Sequence, residues 1–389
     1  MRSASIQGRA DPAFAACLEA FRANFDEGHE LGAACAIYQG DQCVLDAWGG
    51  IADSMSARPW ARDTVVPVFS VTKGVVALCI LALVERGLLD LDRPVAHYWP
   101  EFSAHGKGTV TIRAALAHRA GVPLVSGPVT VDDLADPARM STRLAAEEPL
   151  FEPGSAHLYH AVTIGWITTE LVRRVAGQSI GQWLREQIAR PCHLNLRIGG
   201  ASSESLNIAR VEVPSAHDTP PLDPQLLWAR PISLNGLITP SLSGLAHALN
   251  QPAMQDVELA GANALADARS LAKLYAEAIH GVDGTRLISP ALVASACGVM
   301  SQGEQWGINL PGPTWGAGVM LPWSVQPMLG HGSFGHDGAG GSLAFAHPPT
   351  GITFAYVRNR AGVPNTADAA VYRVVNALAG VLDVRNTST

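Results

Sequence analysis

Residues Val75 to Val84 read Val-Val-Ala-Leu-Cys-Ile-Leu-Ala-Leu-Val, ten in a row without one polar side chain. A run of that length is too short to span a bilayer, so it predicts a core helix buried on every side. Directly before it stands Pro67-Val-Phe-Ser-Val-Thr-Lys-Gly74, where an extended Val-rich segment, Val65 to Phe69, hands over to the helix at Ser70. Serine is favoured at a helix start because its oxygen can accept a free backbone N–H. Lys73 fits that position less well, since a cation in the first turn opposes the helix macrodipole. Three residues after Ser70, it projects from the same face of the helix. Two readings follow. Ser70 is a cap and Lys73 snorkels to solvent, or Ser70 is a nucleophile and Lys73 is its base.

The chain carries its own control. Ser270-Leu-Ala-Lys273 has the same spacing, inside Asp267-Ala-Arg-Ser-Leu-Ala-Lys-Leu-Tyr-Ala-Glu-Ala-Ile279. Leu271, Leu274, Tyr275 and Ala278 form the apolar face of that helix. Ser270 and Lys273 then fall mainly on its polar side, as mid-helix surface residues. Spacing does not separate the two copies; their surroundings do.

A chain of 389 residues with 48% hydrophobic and 16% charged side chains can bury a large core and is expected to form two subdomains. A net charge of −7, with Lys73, Lys107 and Lys273 as the only lysines, argues against nucleic acid and anionic membrane as partners. Cys17, Cys35, Cys43, Cys79, Cys192 and Cys297 are scattered among mostly apolar neighbours, with no C-x-x-C pair and no apolar leader before Asp11. They read as reduced thiols of a cytoplasmic protein. No stretch reaches the length of a membrane span.

Strand patterns sit at both ends of the chain. Asp11-Pro12 opens a first helix carrying Phe14, Leu18, Phe21 and Phe25. Gly32 to Tyr38 and Gln42 to Trp48 then read as strands around a Gly40-Asp41 turn. Late in the chain, Trp315 to Met320, Ser342 to Ala346 and Ile352 to Val357 are strand candidates, followed by a helix from about Ala367 to Val381. Between the ends, helices are expected at Thr111 to His118, Val162 to Ala176 and Ala266 to Ile279. Residues 123–152 read as irregular, and 198–260 as long loops with one short helix, walls of a pocket. One sheet built from both ends and carrying a mostly helical insertion is the expected plan.

Two further stretches could contribute chemistry. Tyr159 follows a Pro153-Gly154 turn and precedes a helix, so its hydroxyl can be held at a fixed point. It is an ordinary half-buried tyrosine, or one whose pKa a neighbouring lysine lowers so that it can take a proton from a serine. His331-Gly-Ser-Phe-Gly-His-Asp-Gly-Ala-Gly-Gly-Ser342 is the most glycine-dense stretch. Its small residues suit a strand connection, or a strand edge whose N–H groups stabilise an oxyanion. The strand–serine–helix elbow of the common esterase fold is not expected. Nor is a metal or other cofactor: among 13 histidines there is no H-E-x-x-H, and the pairs His157/His160 and His331/His336 lack a third clustered ligand.

In order along the chain, Ser70-Val-Thr-Lys73, Leu116-Ala-His-Arg-Ala-Gly121, Tyr159-His-Ala161 and His336-Asp-Gly-Ala-Gly-Gly-Ser342 resemble the motifs of the serine β-lactamase and penicillin-binding-protein superfamily. Within it, they are most similar to the family VIII carboxylesterases. The resemblance spans roughly Gly32 to Arg360. It implies an α/β (α+β) fold: a domain with an antiparallel sheet, residues 1–70 and 261–389, and a mostly helical domain, residues 71–260, with the site at their junction. It implies Ser70 as nucleophile, Lys73 and Tyr159 as the base and acid pair, and the backbone N–H groups of Ser70 and Ala339 as the oxyanion hole. His336, Asp337 and Gly338 would stand at the K-T-G element and meet the substrate.

Two departures bear on substrate. Ala161 stands where class C β-lactamases carry the asparagine of Tyr-x-Asn, and His336 stands where a lysine would hold a β-lactam carboxylate. A histidine there is neutral or only partly charged at pH 7. Acyl transfer from a small-molecule ester is therefore expected over lactam hydrolysis. A weak β-lactamase, a D-amino-acid peptidase, an acyltransferase and a penicillin-binding sensor that does not hydrolyse are the alternatives.

Overall fold

A computed structural model of the chain describes residues 5–203, 205–215, 221–223, 226–227, 229–284, 286–308, 310–362 and 368–383. In chain order the strands are β1 (Ile6–Ala10), β2 (Gly32–Gln39), β3 (Gln42–Asp53), β4 (Arg58–Pro59), β5 (Val66–Pro67), β6 (Leu196–Arg197), β7 (Leu265–Ala266), β8 (Ser301–Glu304), β9 (Pro311–Trp315), β10 (Met320–Leu321), β11 (Phe334–Asp337), β12 (Leu343–His347) and β13 (Ile352–Arg358). The large sheet runs β1-β3-β2-β13-β12-β11-β10-β9-β8, with β4 beside β3, and its pairings are antiparallel. The two ends of the chain join where β2 meets β13, Ala36 opposite Ala355. This is the expected mixed α/β plan with an antiparallel sheet.

Both faces of that sheet are covered, and the two-residue period of β2 sorts its side chains between them. Ala33, Cys35 and Ile37 pack with Phe21 of α1 (Ala15–Asp26) and with Val375 and Leu378 of the closing helix Ala369–Val381. Ala34, Ala36 and Tyr38 share the other core with Leu271 and Tyr275 of the helix Ala268–Ile279 and with α2 (Val71–Glu85). Every residue of α2 from Val71 to Leu83 is buried. The all-apolar run is thus a central helix, packed against β11 on one side and the helix Thr163–Ala176 on another.

Several expected elements are corrected. Trp315 to Met320 is not one strand: Trp315 ends β9, Met320 begins β10 opposite it, and residues 316–319 turn between them, where Gly318 takes φ +84°. Residues 123–152 are not all irregular: Asp136 caps a helix, Pro137–Ala145, through Arg139 N–H. Among the described residues, the stretch 198–260 holds more than the one short helix expected: the α-helices Ala229–Ser233, Leu242–Leu249 and Pro252–Asp256, and a 3-10 turn at Ala201–Ser203. The Ala268–Ile279 helix starts two residues late because Ala266 belongs to β7. Ala367, the expected start of the last helix, lies outside the described residues. No helix of the described residues is long and apolar enough to cross a membrane.

One buried ion cluster ties the two ends of the chain together where β2 and β13 adjoin. Arg358 Nε lies 3.0 Å from Glu30 Oε2 and Nη1 lies 2.6 Å from Asp368 Oδ2, with Arg358 and Glu30 both buried. Burial lifts the Glu30 carboxyl to about 7, and Arg358 opposes that rise. The same guanidinium packs against Gly341, in the turn after β11. Arg358→Ala would strand Glu30 and Asp368, and should cost about 3–5 kcal/mol, the range for breaking a buried pair from one side. Urea unfolding measures it, and Glu30→Gln added to Arg358→Ala should recover part of the loss.

Candidate active site

Phe69 is a buried aromatic held at φ +50°, a conformation that bulky residues rarely adopt. The kink delivers Ser70 to the N-terminal end of α2. Ser70 occupies the cap position, yet its hydroxyl makes no capping bond. Its Oγ lies 3.1 Å from Lys73 Nζ and 2.9 Å from the Tyr159 hydroxyl instead. The capping reading of Ser70 therefore falls away.

Lys73 does not snorkel. Its side chain is buried, and Nζ donates to the Gly261 carbonyl at 2.6 Å. That carbonyl can come so close because Gly165 lets the chain in: a Cβ on Gly165 would lie 2.6 Å from Gly261 N. Burial drops the Lys73 pKa to about 7, with Asp337 pulling partly the other way. Near neutral pH a large share of Lys73 is a free amine. Its lone pair can accept the Ser70 proton while an N–H stays on Gly261.

Tyr159 stacks on Trp315, ring centroids 5.6 Å apart and planes 10° apart, and its hydroxyl donates to Ser70 Oγ. Lys73 Nζ lies 4.8 Å from the ring centroid. The reading in which a neighbouring lysine lowers its pKa is corrected: burial raises it, and the Ser70 hydrogen bond only partly opposes this. A lysine that is in large share a free amine near neutral pH offers little to hold a phenolate in a buried place. At rest Tyr159 is a phenol, suited to give a proton, and Lys73 is the base of the pair.

The glycine-dense stretch closes the other side. β10 pairs with β11 at Met320–Gly335, so β11 runs on from His336 past Val68 and Phe69. Gly338 has to be glycine here, since a Cβ would lie 2.4 Å from the Val68 carbonyl oxygen. Gly338 N–H bonds the Ser342 carbonyl and Gly341 N–H bonds Gly338, forming a turn that contains Ala339. His336 is buried, its Nδ1 2.7 Å from the Asp337 carbonyl. A carbonyl only accepts, so Nδ1 carries the hydrogen and Nε2, buried without a partner, carries a lone pair. Burial lowers the His336 pKa, which favours the neutral one of the two states expected at pH 7. The Asp337 carboxylate accepts from Gln326 Nε2 at 2.7 Å. Ala161, two residues after Tyr159, is buried.

Two other serines invite comparison. Ser270 is not a mid-helix surface residue as expected. It is buried in the first turn, and its Oγ accepts the Asn195 N–H at 2.8 Å. Its partner in spacing, Lys273, reaches Cys192 O and Asp283 instead. Gly177-Gln-Ser-Ile-Gly181 has the G-x-S-x-G spacing of the common esterase elbow, but it follows a helix, not a strand. Ser179 caps the helix Ile180–Leu184 and donates to Glu258 at 2.6 Å. Among the described residues no group of three or more His, Cys, Asp or Glu could hold a metal ion. No motif marks Gly261, Trp315 or Gln305 as part of the site: Gly261 acts through its carbonyl, Trp315 by stacking, and Gln305 through Oε1, which accepts the Tyr159 N–H at 3.1 Å.

The chain is similar to known proteins over nearly its whole length. The family described as Beta-lactamase matches residues 14–379. The esterase/beta-lactamase LipL of Mycobacterium tuberculosis is 35% identical over 383 residues, covering 91% of this chain and 83% of LipL. The crystal structure of a family VIII carboxylesterase superposes with a TM-score of 0.87 at 32% identity, covering 97% of this chain and 100% of that one. A penicillin-binding protein homologue from Caulobacter crescentus superposes with a TM-score of 0.83 at 34% identity, again over 97% of this chain and 100% of the other.

Proposed function

The chain belongs to the beta-lactamase family and is a serine hydrolase, and from that premise we propose that it is a carboxylesterase cleaving short-chain esters through an acyl-enzyme on Ser70. The observation that carries the proposal is Ser70 Oγ held between Lys73 Nζ and the Tyr159 hydroxyl. Lys73, as the free amine, takes the Ser70 proton while Oγ bonds to the ester carbonyl carbon. The carbonyl oxygen becomes an oxyanion, met by the N–H groups of Ser70 and Ala339. As the intermediate collapses, the C–O bond to the alcohol breaks and Tyr159 gives the departing alkoxide a proton, which Lys73 replaces. Water then attacks the acyl carbon with the same pair running in reverse, and Ser70 leaves with its proton restored. Replacing Ser70 and measuring nitrophenyl ester turnover tests the whole scheme.

The base assignment fixes a pH dependence. Lys73 works as the amine, and its pKa is about 7. Below that value it is protonated and idle, so kcat/KM should rise with pH and level off above it. A profile flat from about pH 5 to 8 would remove Lys73 as the base.

A lactamase reading is favoured by the family and by the double name of LipL, an esterase/beta-lactamase, and two features oppose it. Ala161 has no amide for a lactam side chain, and His336 offers a buried neutral ring where a carboxylate would need a cation. His336→Lys should therefore raise the ratio of kcat/KM for a cephalosporin to that for a neutral nitrophenyl ester. A desolvated charge contact of this kind is worth upward of about 1 kcal/mol, roughly fivefold or more. An unchanged or lower ratio would mean that position 336 does not meet the substrate carboxylate, and the Ala339 assignment would fall with it. A series of nitrophenyl esters of rising acyl length tests the short-chain preference.

A further inference from the structure

We propose that His118 is the positioning residue for Tyr159, holding the tyrosine's backbone from both sides so that its hydroxyl stays on Ser70. His118 is buried and sits at φ +63° in Leu116-Ala-His-Arg-Ala-Gly121, just past the helix Ile112–Leu116. Its carbonyl accepts the Leu158 N–H at 3.1 Å, and its Nδ1 accepts the His160 N–H at 3.1 Å. One residue thereby clamps the two neighbours of Tyr159. The His118 ring also meets the Tyr159 ring edge-on at 4.9 Å and the Trp315 ring at 4.5 Å, so it supports both members of the stack.

The left-handed backbone lets carbonyl and ring reach the same short segment. A residue other than glycine stays in that conformation only where its surroundings hold it. The clamp is closed by His160, whose Nδ1 donates to Leu158 O at 2.6 Å and whose Nε2 accepts the Val122 N–H at 3.2 Å. A backbone N–H pointed at His118 Nδ1 requires a lone pair there, so the ring is neutral with its hydrogen on Nε2. Burial, helped by His160 and Lys73 nearby, keeps the His118 pKa well below its ordinary value, in agreement with that tautomer. The inference rests on Tyr159 being the acid of the reaction, and its test separates the two ideas.

Asparagine and glycine both tolerate positive φ, but only asparagine places an acceptor near Nδ1. In kinetics on a nitrophenyl ester, His118→Gly should lower kcat at least about tenfold with KM within about twofold, since small misplacements at a reacting group are costly. His118→Asn should stay within about threefold of wild type. In a Tyr159→Phe background, His118→Gly should lower the residual rate no further. A rate for His118→Asn as poor as for His118→Gly, an unimpaired His118→Gly, or a loss repeated in full in the Tyr159→Phe background would each overturn the role of His118. A Tyr159→Phe enzyme at full rate would overturn the acid assignment, and the clamp's purpose with it. Nitrogen NMR of the wild-type ring at pH 7 needs no variant to fold: it should find Nε2 protonated and Nδ1 bare, and a protonated Nδ1 would refute the clamp.

Discussion

Ser70→Ala should lower nitrophenyl ester turnover by at least about 10⁴-fold, the scale on which hydrolases lose a nucleophile. The fold should survive, because among the described residues the lost Oγ hydrogen-bonds only Lys73 Nζ and the Tyr159 hydroxyl, and the helix that follows takes no cap from it. Ser270→Ala and Ser179→Ala are the controls. Each hydroxyl is already engaged, Ser270 with Asn195 N–H and Ser179 with Gln182 N–H and Glu258. Both variants should turn over ester near the wild-type rate, losing about 1 kcal/mol of stability for a missing hydrogen bond. A Ser70→Ala enzyme that retains more than a few per cent of activity would shift the search to another side chain.

Lys73→Met and Tyr159→Phe should each cost at least about 10²-fold in kcat, the low end for acid–base catalysis. Both changes keep the shape of the site. Methionine replaces a buried chain of similar length, and phenylalanine preserves the stack on Trp315. The two groups act on one proton path, so the double variant should be little worse than the poorer single one. Strict multiplication of the two losses would mean that they serve separate steps. The pH profiles should also differ: Tyr159→Phe retains the acid limb near neutral pH that Lys73 sets, and Lys73→Met loses it.

Much of this site was legible in the sequence because its chemistry lies in short, ordered motifs. Ser70 and Lys73 stand one turn apart, and the apolar run behind them announced a buried helix. Burial also decides what the motif does: it turns a lysine ordinarily cationic into a base near neutral pH. What the sequence left open is where burial falls on residues without periodicity. Of the two readings open for Tyr159, the one in which a neighbouring cation lowers its pKa is reversed by burial. Ser270 was placed on the polar face of its helix, whereas the partner loop carrying Asn195 covers it.

The fold follows the same division. β2 and β13 are long enough to show strand character, so the joining of the chain's two ends was readable. β5, β6 and β7 have two residues each, too short for a period to register. β1 is a partly exposed edge strand with a polar centre, Gln7-Gly-Arg9, and gives no alternating apolar signal. The missed helix Pro137–Ala145 had its start signal in plain view, Asp136 before Pro137, with Met140 and Leu144 four apart on the buried side. Trp315 to Met320 looked strand-like because it is apolar, yet the glycines within it make the turn that sets Trp315 beneath Tyr159.

The most direct test of the account is to find the acyl group. The enzyme should be mixed with excess nitrophenyl acetate, quenched in acid within the first turnovers, digested and mapped by mass spectrometry. The account predicts an acetyl adduct on the peptide carrying Ser70, absent from Ser70→Ala and lost from wild type as substrate is exhausted. An adduct on Ser179, Ser270 or any other residue, or rapid turnover with no adduct at any quench time, would contradict it.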